Sequence, residues 1–149
     1  MSLEKLLLND SDEMFLDKKQ IFIVDDDISV CRSLKILMIS YGFAVETFSS
    51  AEEYFKDVPN TSKGCLILDI HMPGFNGWDV MKRLTKTGYN LPVIVISADK
   101  DDKLEKKALK AGAAGFLQKP FEDHYLLHMV TRIFDKTEGH KNDMRESKV

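Results

Sequence analysis

Between Lys19 and Asp135 the chain alternates short, unbroken apolar runs with longer stretches of helical periodicity. The first run, Ile21-Phe22-Ile23-Val24, stops at Asp25-Asp26-Asp27, and a stripe at Val30, Leu34, Leu37, Met38 and Tyr41 follows, closed by Gly42. Val45 to Phe48 reads as a second strand, and Ser50 with Glu53 three residues on predicts a capped helix through Tyr54 and Phe55. Cys65-Leu66-Ile67-Leu68 is a third run ending in Asp69, and Pro73, Gly74 and Gly77 lead into a helix carrying Trp78, Met81 and Leu84. Pro92 opens Val93-Ile94-Val95-Ile96, which ends at Ser97, and a charged helix is predicted from about Asp101 to Ala111. Gly115-Phe116-Leu117-Gln118 leads to Lys119-Pro120, and Leu126, Met129, Val130 and Ile133 share one side of a last helix. Continuous apolar runs suit strands covered on both faces. Five strand–helix alternations therefore predict an α/β fold, an open five-stranded parallel sheet with five flanking helices.

Length and composition set the frame. With 149 residues and 44% apolar side chains, residues 19–135 suffice for one domain with its own core. Residues 1–18 read as an N-terminal extension in which Leu3, Leu6 and Leu7 could form an amphipathic turn, and residues 136–149 as a charged tail or the start of a linker. A net charge of −3 gives no overall attraction to nucleic acid or anionic lipid. Cys31 and Cys65 form neither a metal-ligand set nor a disulfide framework, and read as buried, reduced thiols. No apolar run approaches the ~20 residues of a membrane helix, and no signal-peptide pattern opens the chain. The expected location is cytoplasmic.

The candidate chemistry lies where the strands end. Ligands of open α/β sheets bind outside the carboxyl ends of the strands. In this chain those ends carry Asp25 and Asp26, Asp69, Ser97 and Lys119. Three carboxylates meeting there would repel, raising a pKa or recruiting a cation. All-oxygen donors select a hard ion, with Mg²⁺ the usual choice beside phosphate. Lys119 would supply a point charge for a phosphoryl oxygen, and a carboxylate can itself attack phosphorus.

The segments Val24-Asp25-Asp26-Asp27, Leu68-Asp69 through Gly77, Ile96-Ser97-Ala98 and Lys119-Pro120-Phe121 resemble the receiver domains of two-component response regulators. The resemblance covers about Lys19 to Asp135 and implies a flavodoxin-like, three-layer fold with strand order 2-1-3-4-5. It implies Asp69 as phosphoacceptor, Asp26 as the main acidic Mg²⁺ ligand, Asp25 acting directly or through water, and the backbone carbonyl of His71 completing the set. It further implies Ser97 as switch hydroxyl, Phe116 as switch aromatic, Lys119 beside the phosphoryl group, and a cis Lys119–Pro120 bond. Ser97 stands where many members carry Thr, and Phe116 where many carry Tyr. His71 and Asp99 occupy the variable site-edge positions that tune phosphoryl lifetime. The implied donor is a sensor histidine kinase. The implied output face is helix 4, strand 5 and helix 5, where a homodimer could form, with no direct nucleic-acid or membrane binding. The chain would catalyse only its own phosphoryl transfer and dephosphorylation.

Plainer readings compete at several positions. His71 reads as an exposed loop residue, and His124, His128 and His140 as surface residues. Trp78 and Met81 read as packing. Lys103, Lys106, Lys107 and Lys110 read as a solvated face, with a partner surface as the rival. Leu127 and Phe134 would widen the apolar face of the last helix and favour docking there. A flavin carrier would need a phosphate loop after strand 1, where three aspartates stand, and a phosphatase would need a cap. A phosphorylation-independent docking module is the remaining alternative. No helix-turn-helix or effector domain is legible after Asp135, so a stand-alone receiver and a piece of a larger regulator both stay open.

Overall fold

The computed structural model describes residues 18–88 and 91–146. Five strands, β1 (Gln20–Val24), β2 (Ala44–Phe48), β3 (Cys65–Asp69), β4 (Val93–Ser97) and β5 (Gly115–Gln118), alternate with α1 (Ile28–Ser40), α2 (Ala51–Asp57), α3 (Gly77–Lys86), α4 (Lys103–Lys110) and α5 (Asp123–Glu146). All pairings are parallel and the order is β2-β1-β3-β4-β5, the flavodoxin-like arrangement that the receiver resemblance implies.

Strand alternation divides the core in two. Phe22, Val24, Leu66, Leu68, Val93 and Val95 face α2, α3 and α4 through Tyr54, Val80, Met81, Leu84 and Ala108. Ile21, Ile23, Cys65, Ile67, Ile94 and Ile96 face α1 and α5 through Leu34, Met38, Leu126 and Val130. Both faces of β1, β3 and β4 are thus covered, which is why these strands lack polar alternation. Burial leaves the backbone little freedom to slip, because a one-residue shift would exchange the two faces.

Caps set where the helices begin. Asp27 accepts from the Ser29 and Val30 N–H groups at the start of α1 (2.9 and 3.3 Å), and Gly42, at φ +93°, supplies the left-handed turn after its end. At α3, Asn76 and Asp79 form a reciprocal capping box, each side chain accepting from the other's N–H at 3.1 Å. Asn76→Ala should lower stability by about 1 kcal/mol in urea denaturation; an unchanged midpoint would count against the box. At α2 only half of the predicted box forms. Ser50 caps Glu53 N–H, but the Glu53 carboxylate reaches back to the N–H and hydroxyl of Ser49.

Two expectations are corrected. Tyr41 lies beyond α1 and is 52% exposed, because the helix ends one residue before it and its ring leaves the stripe. Phe134 does not extend a free docking face: its ring stacks on Phe43 at 5.7 Å and carries the Lys19 ammonium at 5.5 Å. The four lysines Lys103, Lys106, Lys107 and Lys110 are exposed, as the solvated-face reading expects, and the Lys107 ammonium also lies 4.3 Å from the centre of the Trp78 ring. The helix that holds Leu126 continues to Glu146, so the backbone after Asp135 prolongs α5. Leu3, Leu6 and Leu7 lie outside the described residues, as does the side chain of His140.

Candidate functional site

Parallel register carries the polar residues to one edge. Val24 pairs with Leu68, Asp69 with Ile96 and Ser97 with Gln118. Asp25 and Asp69 therefore leave the sheet side by side, with Ser97 and Lys119 one step further along. The strand order changes direction between β1 and β3, the switch point beside which ligands of open α/β sheets bind.

Burial makes these groups unusual. Asp25 and Ser97 are fully buried and Asp69 is 5% exposed, whereas Asp26 faces solvent. One carboxylate oxygen from each of Asp25, Asp26 and Asp69 lies within 4.8 Å of the others. Lys119 reaches in from the end of β5. Its Nζ donates to Asp25 Oδ2 at 2.8 Å and stands 4.0 Å from Asp69 Oδ2. The lysine thus pairs most closely with Asp25, an arrangement that strand-end reasoning alone does not reveal. Asp25 Oδ1 also accepts from the Asp27 N–H at 2.9 Å.

The electrostatics follow from this geometry. Burial, and then the Asp25 charge, push Asp69 from the ordinary 3.8 up to about 6, while Lys119 and the His71 N–H (3.2 Å) pull it back only in part. Three carboxylates face one ammonium, so a divalent cation matches both the donor chemistry and the uncompensated charge. Cys31 supports the same corner from below. Its Sγ donates to the Asp25 carbonyl at 3.2 Å, and burial raises the thiol to about 11, so it stays a protonated donor. Lys119–Pro120 is a cis peptide bond.

A family model for the response regulator receiver domain matches residues 21–131. The chain belongs to the response regulator receiver family. The receiver is 45% identical over 110 residues to the response regulator protein TodT of Pseudomonas putida, an overlap of 74% of this chain and 48% of TodT. It is 35% identical over 121 residues to the transcriptional regulatory protein FixJ of Bradyrhizobium diazoefficiens, covering 81% of this chain and 59% of FixJ. Among solved structures, the response regulator StyR is similar at 37% identity and TM-score 0.75, covering 88% of this chain and 66% of StyR. The receiver spans about half the length of the curated relatives it matches.

The remaining predicted residues take separate places. Phe116 is half-buried and packs against the core cluster that contains Val95, Ala108 and Ala113. His71 and Asp99, from the loops after β3 and β4, meet across the mouth of the site with Nε2 and Oδ2 3.4 Å apart. Their two side chains are about half exposed, consistent with a loop histidine that nonetheless has a partner.

Sequence reasoning missed Gly77. A Cβ there would lie 2.8 Å from the Asp69 carbonyl oxygen and 2.7 Å from Ile70 Cα, and the Gly77 N–H donates to Ile70 O at 3.1 Å. The glycine lets α3 start flush against the end of β3. In the sequence it stands as a turn glycine before the helix and as the last residue of the receiver-like segment from Leu68, with no role at the site attached to it. Among the described residues, no helix is long and apolar enough to cross a membrane.

Proposed function

We propose that this receiver accepts a phosphoryl group on Asp69 in a Mg²⁺-dependent transfer from the phosphohistidine of a sensor histidine kinase. The observation that carries this reading is the convergence of Asp25, Asp26 and Asp69 with the Lys119 ammonium at one sheet edge. Asp25, Asp26, Asp69 and the His71 backbone carbonyl would hold Mg²⁺. When bound, the ion would neutralise charge on the carboxylates and on the phosphoryl oxygens.

The chain's own groups do the rest. An ionised Asp69 oxygen attacks phosphorus as the bond to the donor nitrogen breaks, and the electron pair leaves with the imidazole. Lys119, anchored by Asp25, faces the incoming phosphoryl oxygens, and positioning supplies most of the rate effect. The Ser97 hydroxyl then donates to the phosphoryl group, and Phe116 follows into the space released. One hydrogen bond to a charged group contributes roughly 1.5–3 kcal/mol. A complete population reversal needs about 5.5 kcal/mol. Ser97 therefore acts together with Lys119 and ring repacking, and the switch is partial. The face formed by α4, β5 and α5 is the output surface and the place for a homodimer.

Incubation with acetyl phosphate, with and without Mg²⁺, tests this reading through the intact mass. One added phosphoryl group is expected only with the metal, with much slower gain in Asp26→Ala. Equal gain in chelator, or an unaffected Asp26→Ala protein, would refute the metal role; no gain under any condition, from acetyl phosphate or a phosphorylated kinase, would refute the function.

A further inference from the structure

The segment from Ser97 to Lys103 contains an uninterrupted series of side-chain-to-backbone hydrogen bonds at every second residue. Ser97 Oγ accepts from the Asp99 N–H at 3.0 Å, Asp99 Oδ1 accepts from the Asp101 N–H at 3.1 Å, and Asp101 Oδ1 accepts from the Lys103 N–H at 3.0 Å. The last donor is the first residue of α4. Asp102, at the N-cap position, makes no side-chain cap bond, so Asp101 performs the capping in its place. The other oxygen of Asp99 lies 3.4 Å from His71 Nε2, which braces the middle rung against the loop after β3.

We propose that Asp99 and Asp101 are positioning residues that tie the first turn of α4 to the Ser97 hydroxyl. The inference rests on the phosphoacceptor reading above and extends it to two residues to which that reading gives no part in holding the metal or the phosphoryl group. While Ser97 Oγ holds the Asp99 N–H, each carboxylate is oriented by the rung before it and holds the next N–H in turn. When the hydroxyl reorients toward a group on Asp69, the first rung weakens, Asp99 loses one of its constraints, and the N-terminus of α4 is released through Asp101. Pairs spaced by two residues in a loop suit this role, because each side chain reaches the backbone two residues on without help from a helix or strand. The sequence signature is Ser97-x-Asp99-x-Asp101-x-Lys103.

The molecule carries its own reporter of α4. Trp78, the single tryptophan of the chain, is stacked by Lys107 of α4 at 4.3 Å, so displacement of α4 changes the charge over its ring. The test follows Trp78 fluorescence in the whole chain on adding Mg²⁺ and acetyl phosphate, with the phosphorylated fraction read by intact mass in the same samples. Wild type should show a fluorescence change that tracks phosphorylation. Asp101→Ala should be phosphorylated to the same extent with the Trp78 change reduced about twofold or more, the result of removing one hydrogen bond from the series. Asp101→Asn, which keeps the accepting oxygen, should restore the wild-type response, and Asp102→Ala should leave it intact. A full Trp78 response in phosphorylated Asp101→Ala, an equal loss in Asp102→Ala, or a phosphorylated wild type with silent Trp78 would overturn the inference. A wild type that takes up no phosphoryl group would instead overturn the functional reading.

Discussion

Asp69→Asn should make the metal-free protein more stable near neutral pH, although it removes the proposed acceptor. Asp69 is pushed up to about 6, first by burial and then by Asp25. Its folded-state value exceeds the unfolded one, so the folded protein binds the proton more tightly. Stability that this group contributes is fully present below about pH 4 and is lost as pH rises through about 6. A tenfold change in acid strength is worth about 1.4 kcal/mol, which places the cost of ionising Asp69 within the fold at about 1–3 kcal/mol. In chelator, the urea midpoint of wild type should fall between about pH 4.5 and about pH 7.5. The Asp69→Asn protein should show a flatter profile and a higher midpoint at the upper end. Saturating Mg²⁺ should close the gap. A variant less stable than wild type at neutral pH would show that Asp69 is not held against an electrostatic cost.

The second large effect belongs to a residue with no side chain. Gly77→Ala places a methyl within 2.8 Å of the Asp69 carbonyl oxygen, a backbone atom at the end of a fully buried strand that cannot yield as a flexible side chain would. Overpacking of this kind costs about 2–3 kcal/mol, a fall of about 5–10 °C in Tm for a domain of this size. Because the displaced atoms belong to Asp69 and Ile70, the damage should also reach the site: Mg²⁺ affinity should drop in the fraction that remains folded. A comparison at Gly88, where a Cβ meets nothing within 4 Å, separates crowding from conformational strain, since Gly88 has positive φ (+70°) and Gly77 is not among the positive-φ glycines. If Gly77→Ala melts with wild type, the flush contact is not limiting.

Most of the fold was legible because the core strands are buried on both faces. Ile21 to Val24, Cys65 to Leu68 and Val93 to Ile96 announce themselves as unbroken apolar runs, and their polar stops mark the edge where the site forms. The exposed side of β2 and the mixed burial of β5 gave weaker signals, yet their lengths and positions still emerged from flanking turns. Less visible were contacts made in three dimensions by residues with ordinary sequence neighbourhoods. Lys119 pairs with Asp25 across 94 positions, which spacing cannot reveal. His71 and Asp99 were each placed at the site's edge, but their meeting depends on how two loops fold toward each other. Phe134 read as surplus apolar surface because its partner, Phe43, lies in the turn before β2 and outside the helical pattern. The two-residue spacing of Ser97, Asp99 and Asp101, by contrast, was available in the sequence and gains meaning only with the hydrogen bonds in place.

The central claim is that a phosphoryl group lands on one particular carboxylate of three lying within 4.8 Å of each other. Reduction of the phosphorylated protein with borohydride converts an acyl phosphate to an alcohol, so the modified aspartate becomes homoserine and can be located by peptide sequencing. Homoserine at position 69 alone is the predicted result. Homoserine at 25 or 26, or a phosphoryl group recovered on His71, would contradict it.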